Sequence, residues 1–284
     1  SSYSWHWDDG TSNSTGAKFT NTGSITAAGV LINHTGDVNA DGAIDGTGDN
    51  LDITGNSFTS SAAGTLKGAA ITITSANGVS IDGQVTAGSL FKSTGTSFLN
   101  ENTGSIAAMG VTINHSGDVT FDAGIDGTTG DVLVNGHNIA SDTDGTINGG
   151  AITLTAGADV SLGGNVTGGA LFTSTGVKFT NTGSITAVGV TVNHTGNVLF
   201  EGAIDGTTAD VLVHGVDITS TSLGTVNGRI VTLTATGNVT LAGNVTGGGL
   251  FTSTGVNFKN TGSVTAAGIL IDHTGTVLAD GALN

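Results

Sequence analysis

The sequence predicts an all-β chain wound as a single-chain parallel β-solenoid (a β-helix), and three observations predict it. Thr, Val and Ile dominate, whereas Glu, Lys, Gln, Arg and Met are scarce, so strand propensity prevails over helix propensity. A segment of about 79 residues recurs four times, the last copy cut short. The third copy divides at its glycines into pieces of about 20 residues, most of them built from short period-2 apolar runs.

The elements follow in chain order. Residues 1–17 stand outside the repeat; "SSYSWHWDDG" holds both Trp and the only Tyr. A solenoid end exposes unpaired backbone, so this segment reads as an N-terminal cap or as a docking strand for another subunit, with Tyr3, Trp5 and Trp7 as anchors. Residues 18–284 form the solenoid, with super-repeat copies starting near 18, 97, 178 and 257. The copies open "KFTNTGSITAAGVLINHTGDV", "SFLNENTGSIAAMGVTINHSGDV", "KFTNTGSITAVGVTVNHTGNV" and "NFKNTGSVTAAGILIDHTGTV". Their aligned histidines, His34, His115, His194 and His273, are 81, 79 and 79 residues apart.

Within the third copy the coils are 170–189, 190–206, 207–228 and 229–248. "IVTLTATG / NVTLAG / NVTGG" shows the plan of one coil: three short strands separated by tight turns. Inward Val, Ile, Leu and Ala stack on the next coil, while outward Thr, Ser and Asn meet water. Glycine is expected to supply positive φ at the corners. The interior is expected to be too narrow for large aromatics. The absence of Pro fits strands that each donate N–H groups to a neighbouring coil. About fourteen coils at roughly 4.8 Å each give an expected length of about 65–70 Å. A β-sandwich would need longer strands, and a propeller would need signature aromatics.

Composition also excludes function classes. With 6 Lys+Arg against 22 Asp+Glu, net charge −16, no basic stripe exists to neutralise phosphates, so nucleic acid is not an expected partner. No apolar run reaches the roughly 20 residues of a membrane-spanning helix, and no membrane insertion is expected. The lack of Cys removes any disulfide framework. "SSYSWHWDDG" is not a signal peptide, so an exported form would be a processed chain or a piece of a longer one.

Coils such as "GSITAAGVLINHTGDV" and "TLTATGNVTLAGNVTGG" resemble the repeats of filamentous-haemagglutinin-like exoproteins and similar bacterial surface adhesins. The resemblance covers nearly the whole chain after Lys18. It implies a secreted right-handed parallel β-helix acting in attachment and cell–cell contact, located outside the cell or on its surface.

Candidate sites are few. "DVNADG" opens like a calcium loop, with Asp37, Asn39 and Asp41 as candidate ligands. The twelfth loop position is Gly48 rather than a bidentate carboxylate, and the other copies place Thr120, Leu199 or Leu278 in the column of Asn39, so the stretch reads as a coil wall. No other cofactor is expected. The repeated histidines lie four coils apart, roughly 19 Å by strand spacing, too far to share an ion. They are expected on the outer wall, and only His194 and His214 fall on adjacent coils, one residue out of register.

Asp45, Asp126 and Asp205 recur with the repeat and read as turn residues, so no catalytic residue is assigned and no enzyme is expected. Asn-x-Ser/Thr sequons occur at Asn13, Asn33, Asn114, Asn165, Asn193, Asn238 and Asn244. The pairs Thr72/Thr74, Thr153/Thr155 and Thr232/Thr234 are of a kind that suggests ice binding, but they recur about once per 80 residues and are expected to lie too far apart for an adjacent ladder. The expected function is a structural subunit of an extracellular filament, sheath or matrix fibre, its partner being a further copy of itself stacked head to tail. The alternative is the stalk of a surface adhesin that meets surface glycans or other cells.

Overall fold

The computed structural model describes residues 4–8 and 10–284, with side chains from Gly10 onward. Among these residues there are strands and turns and no helix. The protein is a parallel β-solenoid of about fourteen turns, divided into two units. The first runs to His137 and takes in Asp144–Gly149; the second comprises Asn138–Thr143 and Gly150–Asn284.

Each coil gives one strand to each of three faces. In the first unit the first face begins with Thr11–Gly16, Gly29–His34 and Leu51–Gly55. The second face begins with Phe19–Asn21, Val38–Ala40 and Phe58–Ser60. The third begins with Ser24–Thr26, Ala43–Asp45 and Leu66–Gly68. All three stack in parallel register, as in Val30↔Leu51, Phe19↔Val38 and Ile25↔Ile44. The winding is already established at Thr11, which pairs with Gly29 seven residues before Lys18.

The one antiparallel strand among the described residues is Ser4–Asp8, which lies along the outer edge of Thr11–Gly16. In four coils of the second unit the corner between the third and first faces stays in β conformation: continuous strands Val166–Gly176, Ile185–His194, Val245–Gly255 and Ser263–His273 run across it. The coils between them break there, as between Ile204–Gly206 and Val211–Gly215. The register slips at the continuous corner, between Gly168 and Leu171 and between Gly247 and Leu250.

The alternating pattern of the sequence becomes an inside and an outside. In Phe58–Ser60 the outer residues of the triplet are buried and the middle one is exposed. All ten phenylalanines lie in the interior, each less than 2% exposed. This corrects the expectation that large aromatics would not fit. They fit because the stacked columns alternate size: Phe19, Val38, Phe58, Val79, Phe98 and Val119 occupy one column of the second face. Phe98 and Phe121 meet edge to face at 6.1 Å, as Phe179 and Phe200 do at 6.2 Å. Each buried ring contributes roughly 1.5–3 kcal/mol through removal from water, with aromatic pairing adding to this.

Glycine has a different role from the one expected. Among the described residues most glycines keep negative φ, Gly48 at φ 92° being one of few exceptions. They are needed because stacked corners pass within contact of one another: a Cβ on Gly202 would sit 1.8 Å from the carbonyl oxygen of Gly183. Positive φ falls instead on Thr47 (42°) and Thr128 (52°), where the preceding Asp45 and Asp126 each accept the threonine N–H at 2.7 Å. A polar ladder fastens another corner of the second unit. Asp217 Oδ1 accepts Asn238 N and Nδ2 (2.8 and 3.1 Å), and Asn257 Nδ2 donates to Asn238 Oδ1 at 2.8 Å.

Candidate functional site

The period-2 phase of the first face decides where each histidine goes. In Gly110–His115, Val111, Ile113 and His115 alternate inward. His34, His115 and His194 are consequently 3%, 3% and 0% exposed, so the outer-wall expectation is corrected. One coil earlier, the same phase sends a serine inward. The pairs are Ser14–His34, Ser93–His115, Ser174–His194 and Ser253–His273, with Oγ···Nε2 distances of 3.0, 2.9, 3.0 and 2.9 Å. A phenylalanine closes each pair: Phe19, Phe98, Phe179 and Phe258 lie 5.3–5.4 Å from the respective rings.

A glycine makes room for the ring. The strand pairing places Gly95 against His115, and a Cβ there would lie 3.1 Å from His115 Cε1 and 2.5 Å from the carbonyl oxygen of Asn77. Burial pushes the His115 and His194 rings down to about 4 from the usual imidazole range. The Ser97 carbonyl beside His115, and Asp159 with the Lys178 carbonyl beside His194, oppose that shift. Nδ1 of each ring lacks a hydrogen bond of full geometry. A serine hydroxyl on an imidazole is the pairing of an activated nucleophile and its base. Here Ser93 and Ser174 are 0% exposed, so no substrate reaches them, and the pairs act as buried polar struts.

The sequence reading missed these serines. Their signal was the inward phase of "STG" one coil before each histidine. Buried asparagines recur alongside them: Asn181 Nδ2 donates to the carbonyls of Gly183 (2.8 Å) and Ala203 (3.4 Å), tying its own corner to the next coil.

The remaining candidates are surface features. The carboxylate of Asp37 accepts Asn56 Nδ2 (3.0 Å) and Ser57 Oγ (2.7 Å) from the following coil, and these hydrogen bonds hold it below its usual range. Asn39 Oδ1 accepts the Thr59 hydroxyl at 3.0 Å, so two of the three calcium candidates are engaged between coils. Among the described residues no group of three or more His, Cys, Asp or Glu side chains is placed to hold a metal ion. His214 pairs with Asn193 across the strands and faces outward, whereas His194 faces inward; the sheet separates the two rings. Asp205 accepts Asn227 Nδ2 at 3.0 Å.

Asn33, Asn114 and Asn193 of the sequons are exposed on the first face. Tyr3 lies outside the described residues, as do the side chains of Trp5 and Trp7; the backbone of Trp5 runs opposite Ser14 and that of Trp7 opposite Ser12. No helix among the described residues is long and apolar enough to cross a membrane.

The threonine pairs require a further correction. Thr153 and Thr155 pair directly with Thr173 and Thr175 of the next coil, and Thr232 and Thr234 with Thr252 and Thr254. The ladder is adjacent after all, because neighbouring coils carry threonine in the same columns under different local sequence. Comparison of the chain with family models, curated proteins and solved structures finds no match.

Proposed function

We propose that the chain is a structural subunit of an extracellular or cell-surface filament, sheath or matrix fibre, assembled end to end by coil stacking. The observation that supports this reading is the stacking itself: successive coils join by parallel strand pairing on all three faces, as in Val30↔Leu51, Phe19↔Val38 and Ile25↔Ile44. A coil edge of that kind is a template for another coil. The occupant proposed is a coil of a second copy, which carries the same inward columns. This contact is heterologous and does not close, so it propagates.

Electron microscopy of the purified chain tests the reading. Long filaments are expected at neutral pH, and removal of residues 1–17 is expected to abolish them. Separate short particles at all concentrations would overturn it. The second reading, a spacer or stalk within a surface adhesin that meets glycans or other cells, draws support from the pairing of Ser4–Asp8 with the chain's own Thr11–Gly16. That pairing occupies one edge of the N-terminal end, and short particles would favour this reading.

A further inference from the structure

The first face of the second unit carries a grid of outward threonines with no counterpart on the other two faces. Thr153/Thr155, Thr173/Thr175 and Thr191/Asn193 stand on three consecutive strands in unbroken register. The next strand places Leu212 and His214 in a shallow depression, and the grid resumes with Thr232/Thr234 and Thr252/Thr254. Across the two rows the first charged residue is Asp272, on the last strand. The corresponding rows of the first unit are broken by Asp52 and Lys92.

Among the described residues none of these threonine hydroxyls is spent on a hydrogen bond within the protein. By contrast, Thr182 and Thr261 at a neighbouring corner donate to the carbonyls of Leu162 and Leu241. Strand geometry sets the grid: about 4.8 Å between coils and about 6.6 Å between alternate residues of one strand. Threonine is stiff at χ1, and the parallel ladder fixes its Cα, so hydroxyl and methyl positions are organised before any ligand arrives.

We propose that this face is an ice-binding surface. Its ligand is the ordered water lattice of an ice crystal plane, held by repeated threonine hydroxyls with the methyl groups filling the spaces between them. Bridging water costs little immobilisation entropy where it is already ordered, which is the condition at an ice surface. A charged side chain would hold a hydration shell of its own against that order, and the rows lack one until Asp272. A glycan chain is the competing occupant. Sugar rings bind on exposed aromatic platforms, and every phenylalanine of this chain is inside. The inference does not rest on end-to-end assembly, since a single copy presents the whole face.

The test is incorporation of the purified chain into a slowly growing ice hemisphere, with thermal hysteresis measured on the same samples. Unaltered protein is expected to enter the ice and to shape its crystals. The double variant Thr173→Lys/Thr175→Lys is expected to be excluded, while Thr219→Lys/Thr240→Lys on the second face behaves as the unaltered chain. Thr173→Val/Thr175→Val keeps the branched shape and strand propensity, and is expected to fold and to lose hysteresis. Exclusion of the unaltered chain from ice overturns the proposal, as does full incorporation of a folded Thr173→Lys/Thr175→Lys chain. Retention on cellulose or chitin without entry into ice also overturns it, and assigns the face to a solid glycan.

Discussion

Ser174 Oγ lies 3.0 Å from Nε2 of His194, one coil away, with both side chains 0% exposed. The same contact recurs at Ser14 and Ser93, where it is buried, and at Ser253, where it is partly buried, so each of these four histidine coils is joined to its predecessor by a serine–histidine bond.

Removing one partner strands the other. Ser174→Ala is expected to cost about 1–3 kcal/mol, the penalty for a buried imidazole nitrogen left without its bond. Ser174→Ala/His194→Leu should recover part of that loss, because neither polar group then remains to be satisfied. Urea midpoints of the two single variants and the double variant, combined in a cycle, measure the coupling.

The buried rings also fix a pH dependence. His115 and His194 titrate near 4 in the folded chain and near the ordinary imidazole value when unfolded, so the unfolded state binds more protons between these limits. Their contribution is complete above about pH 6.5 and is lost as pH falls toward 4, by up to about 3 kcal/mol per ring. Denaturant midpoints recorded from pH 7 to pH 4 should fall, and His194→Phe should flatten that slope.

Stacked corners set a steric prediction. Gly202→Ala would place Cβ 1.8 Å from the Gly183 carbonyl oxygen, a backbone atom that cannot rotate away. A loss of about 3 kcal/mol or more, or failure to fold, is expected. Gly23 has nothing within 4 Å of its added Cβ, so Gly23→Ala is expected to be neutral within about 0.5 kcal/mol. Thermal melts of the two variants side by side separate close approach from a general intolerance of side chains.

Asn181→Leu removes the donor to the Gly183 and Ala203 carbonyls. It is expected to cost about 1–3 kcal/mol. Amide exchange should show the opening concentrated around residues 181–185 and 200–204, whereas a global loss of cooperativity would argue that the asparagine supports the whole core.

The coil length and the alternation of inside and outside were legible because they depend on residues close together in the chain. "VTVNH" gives the inward phase of Val190 and Val192 without any knowledge of neighbours, and the same phase carries His194 inward, against the outer-wall expectation that its polarity suggests. What lay beyond reach was the identity of the residue above and below. Ser174 meets His194 only because the corners between them consume a set number of residues, and that number varies around 20 from coil to coil. The same limit hid the threonine grid, since Thr173/Thr175 follows Thr153/Thr155 under a different local sequence, "LFTSTG" after "AITLTA". The phenylalanines were misjudged for a related reason: whether a large ring fits depends on the small residue stacked against it.

The match between each histidine and the coil before it constrains how such a chain changes length. Removing the serine-bearing coil that holds Ser174 would set Val192 against Leu154 and His194 against Ala156, instead of against Ser174 and Gly176. Removing or adding four consecutive coils keeps each serine beside its histidine. A change in length that parts a serine coil from its histidine coil therefore carries a penalty that gain or loss of a whole block of about 79 residues does not.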